Sequence, residues 1–527
     1  MDLEKEILRI CLEKGFLLDK EMLKSISLLD ESSARTLIEI LNNLGIKERV
    51  ITRAVFHRNF EKIRSIFVNG KNRIFVEKFF INLGYSLTEM NNSPIIIDEE
   101  NNNKLNNSKV KIISSPQITP KKIEVQDFVK HFKSRYEQIR NILQERNLEN
   151  LTSIRRINEK KENKTVIVSI LDKKITKNKN LIFDVEDLTG RAKVLVNNNR
   201  QELYNLARDV LVDEVVAFNV SGNSEILFAN GLIFPDAVLP EKRKYDKDEW
   251  VAFTSDIHVG STMFLENQFL KFIKWLNGAE GNEEQRELAK KVKYLFLVGD
   301  CVDGVGVYPD QEKFLKIKEI SEQYSKLCEY LKLVRKDIKI IMSPGQHDAV
   351  WVGEPQPSIS EKWAPGLYKL DNLSLVSNPC LVEINGGFKI LMYHGASMHG
   401  IIEEIPEIRL NYGHNSPTRV TRELLKRRHL APMHGSCDYI PNDKKDPMVI
   451  DILPDIVATG DQHRSEVANY NNILMIASSC WQSITPFEEK VGNNPEPCRV
   501  PLFNLKTREI KIMDFSEGYE HKPRSKL

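Results

Sequence analysis

The stretch "VAFTSDIHVGS", residues 251–261, ends a run of strand character in Asp256-Ile-His258. Residues i and i+2 of an extended chain project to the same side, so Asp256 and His258 can converge on one object. A carboxylate beside an imidazole is a pair able to hold a metal ion. The pattern recurs along the chain. "GDCVDG" places Asp300 directly after Gly299 with Asp303 close by, and "PGQHD" brings Gln346, His347 and Asp348. "YHG" then brings His394, and "GDQH" brings Asp461 and His463. One strand-end histidine alone reads as a hydrogen-bonding residue of the fold. Five strand ends with the same chemistry read as one site.

The chemistry this donor set suits is a pair of divalent ions about 3.5–4 Å apart, bridged by a carboxylate. Imidazole and carboxylate without thiolate favour Mn²⁺, Fe²⁺ or Zn²⁺ over Ca²⁺. Such a pair would clamp a phosphodiester oxygen, lower the pKa of a bridging water and stabilise an in-line transition state.

The elements that must position these groups follow an α/β rhythm from about residue 248. "WVAFTS", "YLFLVG", "IKIIMSPG", "FKILMYHG" and "DIVATG" read as strands separated by helices, with functional residues on the loops past the strand ends. Upstream, "TVIVSILDKK", "LIFDVEDLTGRAKVLV", "EVVAFNVSG" and "EILFANGLIF" read as short strands with one helical insert, a pattern that fits a small OB-type barrel. An amphipathic lead helix, "DFVKHFKSRYEQIRNIL", precedes it. Residues 1–75 show helical spacing in "ILRICLEKGFLLDKEMLKSI" and "SARTLIEILNNLGI". Residues 91–122 are rich in Asn, Ser, Pro and Lys and read as a solvated tether, with "PIII" as a short apolar island inside it. The expected organisation is a multidomain α/β protein: a helical N-terminal domain (1–75), a flexible linker (76–125), a lead helix plus OB-fold domain (126–240) and an α/β domain (245–527).

The five motifs in this order resemble the calcineurin-like metallophosphoesterases. Together with "LLKRRHLAP" and "WQSITPFEEKVGNNPEPCRVPLFNL", they more closely resemble the small subunits of the archaeal family-D DNA polymerases, over about residues 155–515. The resemblance implies that the α/β domain has the calcineurin-like phosphoesterase fold. It implies that Asp256, His258 and His463 hold one ion, that Asp300 bridges, and that Gln346, His394 and Asp461 surround the second. His347 would sit over the scissile phosphate with Asp348 orienting it. Two positions depart from the general phosphoesterase pattern, which has Asn in place of Gln346 and His in place of Asp461. Both fall at the second ion.

The implied activity is a 3′→5′ exonuclease on single-stranded DNA 3′ ends, dependent on two divalent ions, Mn²⁺ first, with Mg²⁺, Fe²⁺ or Zn²⁺ as alternatives. DNA synthesis would belong to a large partner subunit. A catalytically silent scaffold is the alternative, and a protein phosphatase or cyclic-nucleotide enzyme on the same core is a third reading. Arg419, Arg422 and Lys426 share one face of the helix that Ser416-Pro417 begins and could grip a DNA backbone. His399, His414, His429 and His434 are not at strand ends, and Cys301 reads as a packing residue beside Asp300.

The 527 residues are 41% apolar and 28% charged with a net charge of +2, ordinary for a globular protein. Any nucleic-acid contact must therefore come from local patches. Seven cysteines without a CxxC pair argue against a zinc ribbon or a disulfide framework. With no signal peptide and no membrane-length apolar run, the expectation is a reduced, cytoplasmic protein.

Overall fold

In the computed structural model the chain divides into two units, residues 1–98 and 99–527. The structure describes residues 3–15, 17–19, 22–23, 26, 38 and 50–51 of the first, then 109–116, 122–157, 163–223, 225–442 and 444–518. In the first unit, helix α1 (Leu3–Glu13) precedes a short parallel pair, β1 (Leu17–Leu18) with β2 (Val50–Ile51). Helical spacing across residues 7–26 is thus interrupted at 17–18. Most of the expected helix at 33–46, and "PIII", lie outside the described residues.

The second unit opens with β3 (Val110–Ser114), inside the stretch expected to be a tether. It pairs antiparallel with a strand far along the chain, Ser114 opposite Leu381 and Val110 opposite Ile384. Its order is therefore supplied by tertiary contact that local composition cannot report. Helix α2 (Val125–Gln144) leads into β4 (Lys164–Ile175), β5 (Leu181–Asp187), β6 (Gly190–Val196), helix α3 (Gln201–Arg208), β7 (Val215–Gly222) and β8 (Ile226–Ile233). These strands close in the order β4-β5-β6-β8-β7. A register shift between Ile170 and Asp172 lets long β4 serve both neighbours, β7 with its first half and β5 with its second. Alternation does the rest: Leu181, Phe183 and Val185 point inward, with Val166, Val168, Val194 and Phe218, into one apolar core.

The remaining elements are β9 (Trp250–Thr254), α4 (Glu266–Leu276), α5 (Glu283–Lys290), β10 (Val292–Val298), α6 (Ile320–Lys332), β11 (Lys339–Ser343) and β12 (Leu373–Leu375). They continue with β13 (Cys380–Ile384), β14 (Phe388–Met392), α7 (Met398–Glu404), α8 (Pro406–Asn411) and α9 (Pro417–Arg427). Last come β15 (Ile456–Thr459), β16 (Glu466–Tyr470), β17 (Ile473–Ala477), α10 (Pro486–Val491), β18 (Arg499–Asn504) and β19 (Ile510–Asp514).

Two six-stranded sheets result, β12-β11-β10-β9-β18-β19 and β16-β17-β15-β14-β13-β3. They face each other through Val251, Phe253, Phe296 and Ile341 on one side and Val382, Ile390, Met392 and Ile476 on the other. Helices α4 and α6 cover the outer face of the first sheet, and α7 and α9 that of the second. Strands buried on both faces must be apolar throughout, which is why β9 and β10 read as continuous hydrophobic runs. The parallel strands β9, β10, β11, β14 and β15 are the five that the sequence patterns mark, and all end on the same side of this sandwich.

The barrel is tied to α9 by a buried ion triad. Arg427 Nε lies 2.7 Å from Glu214 Oε2, and its Nη1 donates to Glu423 Oε2 at 2.6 Å. The cations of the stripe expected to grip DNA have intramolecular partners on that helix and beside it. Arg422 pairs with Glu423, Lys426 lies 3.6 Å from Glu423 and over the Phe234 ring, and Arg419 stacks on Tyr412. Spacing places these cations on one face; it does not reveal that Glu423 pairs with two of them and that a ring covers the third.

Candidate metal centre

Asp256 and His258 follow β9, Asp300 follows β10, Gln346, His347 and Asp348 follow β11, His394 follows β14, and Asp461 and His463 follow β15. Five of these residues have left-handed backbone: Asp256 (φ 50°), His258 (54°), Asp300 (50°), Asp461 (65°) and His463 (55°). Residues with a Cβ hold this conformation only where the surroundings impose it, and such strain concentrates at functional sites. Here the imposing contacts are backbone hydrogen bonds between neighbouring strand ends. Asp256 N–H donates to Gly299 O, His258 N–H to Asp300 O, and Gly460 N–H to His394 O.

The side chains converge. Asp256 Oδ1 lies 3.3 Å from His463 Nε2 and 3.9 Å from both His258 Nε2 and His394 Nε2. His258 Nε2 and His463 Nε2 face each other at 3.3 Å, and His394 Nε2 is 3.2 Å from Asp300 Oδ2. Two trios, Asp256/His258/His463 and Asp256/Asp300/His394, each gather their ligand atoms within 4.8 Å. The carboxylate common to both is Asp256, whereas Asp300, the expected bridge, has Oδ1 engaged by the His347 N–H. A third such group is His258/Asp303/His347.

Three imidazoles are oriented alike. The Nδ1 of His258 faces Asp303 Oδ1 (3.1 Å), that of His463 faces Glu488 Oε1 (2.8 Å), and that of His394 faces the Val298 carbonyl (2.7 Å). Each partner can only accept, so Nδ1 carries the proton and Nε2 is left to the centre, as metal-binding histidines require. Asp303 is itself held by Gln311 and Gln482. Sequence patterns do not mark Glu488 as a site residue, and they mark Asp303 only as a neighbour of Asp300.

The donor set fits divalent cations on two counts. Asp256 Oδ1, His394 Nε2 and Gln346 Oε1 are buried without a hydrogen bond, a costly arrangement unless another partner serves them. The electrostatics agree. Burial alone would push Asp300 up and His394 down, yet the imidazoles of His394 and His347 hold Asp300 below the usual carboxylate range. Asp300 and Asp256 in turn hold His394 well above the histidine range. The buried carboxylates thus demand positive charge, which a proton or a metal ion can supply.

Gln346 and Asp461 belong to neither trio. Gln346 Nε2 donates to Asp461 Oδ1 (2.5 Å), while Asp461 Oδ2 takes Gln462 Nε2 (2.7 Å) and lies 2.9 Å from His399 Nε2. Asp348 also departs from expectation. Its carboxylate accepts from Gly345 N–H, Cys301 N–H and the Tyr324 hydroxyl, so it fixes the turn. It does not orient His347, whose Nδ1 sits 2.7 Å from the Asp303 carbonyl. Burial, reinforced by Asp300, pushes Asp348 up to about 6. The Cys301 side chain packs in the apolar layer. Of the other histidines, His414 bonds Gln462, His429 bonds Asp446, and His434 packs on Phe128 and Phe132. Among the described residues no helix is long and apolar enough to cross a membrane.

The family model for the B-type subunit of DNA polymerases alpha and epsilon matches residues 251–468, which carry every one of these ligand candidates. The DNA polymerase II small subunit of Pyrococcus furiosus is 36% identical over 442 residues, covering 83% of this chain and 71% of the relative. That of Methanothermobacter thermautotrophicus is 36% identical over 394 residues, covering 75% and 80%. Among solved structures, one described as a novel archaeal phosphodiesterase aligns at 15% identity and a TM-score of 0.25, covering 50% of this chain and 98% of that one. On the extent and identity of the sequence matches, the chain belongs to the family of DNA polymerase II small subunits.

Proposed function

We propose that this chain is the small subunit of a two-subunit DNA polymerase and that its strand-end site is a divalent-metal-dependent 3′→5′ exonuclease acting on single-stranded DNA ends. Synthesis then resides in the large partner subunit. The observation that carries the reading is the convergence of the Nε2 atoms of His258, His463 and His394 on the buried carboxylates of Asp256 and Asp300, with the buried Gln346 Oε1 left without a hydrogen bond beside them.

Asp256, His258 and His463 would hold one ion, and Asp256, Asp300 and His394 a second, with Gln346 and Asp461 beside it. Mn²⁺ is the first choice for such donors, with Mg²⁺, Fe²⁺ or Zn²⁺ as alternatives. Bound there, the ions supply Lewis-acid stabilisation of a phosphoryl oxygen and a water acidified enough to attack. The protein's own part begins with charge. Asp256, Asp300 and Asp303 supply buried carboxylates whose charge protonated imidazoles offset in the free protein and bound cations would offset in the working one. His347 is half-buried beside His258, their rings 4.7 Å apart and perpendicular. Because the Asp303 carbonyl only accepts, Nδ1 of His347 keeps its proton, and it is the doubly protonated ring that could give its Nε2 proton to the departing 3′ oxygen, returning to the neutral Nδ1–H form. The barrel, with one helix between its third and fourth strands, is read as an OB-type domain spanning residues 126–240 with its lead helix.

Asp300→Asn and His347→Ala test the reading. Each should lower Mn²⁺-dependent degradation of single-stranded DNA at least about 100-fold while the circular dichroism spectrum stays unchanged. Full nuclease activity in both variants would sink it. A catalytically silent scaffold is the second reading, favoured by the Gln346–Asp461 hydrogen bond, which occupies two expected ligands with each other. Absence of Mn²⁺ binding at micromolar concentrations would decide for the scaffold.

A further inference from the structure

Asp461 stands where the phosphoesterase pattern has a histidine, and the structure shows an imidazole close by. His399 Nε2 lies 2.9 Å from Asp461 Oδ2, on a side chain 49% exposed against 6% for Asp461. Two ligand atoms each about 2.1 Å from one ion at a right angle are themselves about 3 Å apart. The His399–Asp461 spacing therefore belongs with those of the two trios, 3.2–3.3 Å for His394–Asp300, His463–Asp256 and His258–His463.

His399 is rigidly presented. It is the second residue of α7, which begins four residues after His394. The turn between them is fixed by Ser397, whose hydroxyl bonds the Leu430 carbonyl and the Tyr393 hydroxyl, the latter anchored on buried Glu354. Across the site, Gln346 Oε1 is buried without a partner while Gln346 Nε2 contacts Asp461 Oδ1. Turning that amide over would set its oxygen against a carboxylate oxygen, an arrangement that only a cation between them makes favourable.

We propose that His399 is a ligand of the second metal ion in this chain, acting with Asp461 and the Gln346 amide oxygen to replace the single histidine that position 461 lacks. The inference rests on the two-ion reading above and deepens it: the two departures from the family pattern become parts of one rebuilt site.

Equilibrium dialysis of the purified full chain against Mn²⁺, with bound metal counted by mass spectrometry, tests this without reference to activity. The wild-type protein should bind two ions. His399→Ala should keep the first and bind the second at least about tenfold more weakly. Retention of the first ion also shows that the variant is folded. Two ions bound by His399→Ala with unchanged affinity would overturn the inference, and so would simultaneous loss of both. A wild-type protein binding one ion would overturn the inference alone; one binding none would overturn the nuclease reading with it.

Discussion

Glu488 Oε1 lies 2.8 Å from His463 Nδ1, while Oε2 of the same carboxylate accepts the Thr485 N–H at 2.9 Å. One side chain therefore closes the capping box of helix α10 and fixes the tautomer of a candidate ligand. Burial would push Glu488 up, but His463 holds it below the usual range, so it stays an anion at neutral pH.

Glu488→Ala leaves His463 without its acceptor, and Mn²⁺ affinity should fall about 10- to 100-fold. Glu488→Gln keeps an oxygen able to accept from Nδ1 and should lose less. Thr485→Ala removes the cap and the hydroxyl bond to Glu488 Oε2 but leaves Oε1 on His463, so it should cost about 1 kcal/mol of stability with a smaller effect on the metal. Calorimetric Mn²⁺ titration of the three variants checks the order, and equal affinity in Glu488→Ala and the wild type would refute the positioning role.

Gly345 closes the site from the β11 side. A Cβ there would sit 2.2 Å from Asp300 Oδ1, 2.6 Å from His394 Nε2 and 2.7 Å from the Asp300 backbone nitrogen. The last cannot rotate away. Gly345→Ala should therefore expel the Asp300 carboxylate and cost about 1–3 kcal/mol through overcrowding. The gain in Tm on adding Mn²⁺, expected in the wild type by ligand linkage, should be largely lost. Thermal melts with and without Mn²⁺ measure both effects, and an undiminished gain would show that the glycine is dispensable.

What can be read from sequence follows the range of the interactions involved. The five strand ends are legible because apolar runs mark buried parallel strands, and the polar residues just past them face one edge whatever the helices between do. Glu488 is half legible: Thr485-x-x-Glu488 is a capping box, but its second duty toward His463 arises from residues 25 apart meeting across a loop. His399 is hidden because it does not end a strand, although α7 folds it back onto Asp461. The basic stripe is legible as a face, but helical periodicity does not report the partners its cations have within the chain. Strand β3 is hidden because its pairing with β13 outweighs a polar neighbourhood.

Helix α2 is fastened to the α/β layers by buried charge, and that fastening is sensitive to acid. Arg135 Nε donates to Asp446 Oδ2 at 2.7 Å, and His429 Nε2 faces the same oxygen at 2.8 Å. Nδ1 of His429 accepts the Ala431 N–H, so the ring is satisfied as the neutral tautomer and has no use for a second proton. Burial first, then Arg135, lowers its pKa to about 4. Asp446, despite burial, is held well below the carboxylate range by Arg135 and His429. Both values are depressed on folding, so both contributions are present at high pH and lost as pH falls. For His429 the window runs from its unfolded value near about 6.5 down to about 4, amounting to about 3 kcal/mol. Asp446 is lost only at lower pH. Urea midpoints of the metal-free protein should therefore fall between about pH 7 and 4.5. His429→Gln, which retains a donor for Asp446 and an acceptor for Ala431 but cannot titrate, should show a shallower decline. Parallel pH profiles for the two proteins would place the acid sensitivity elsewhere.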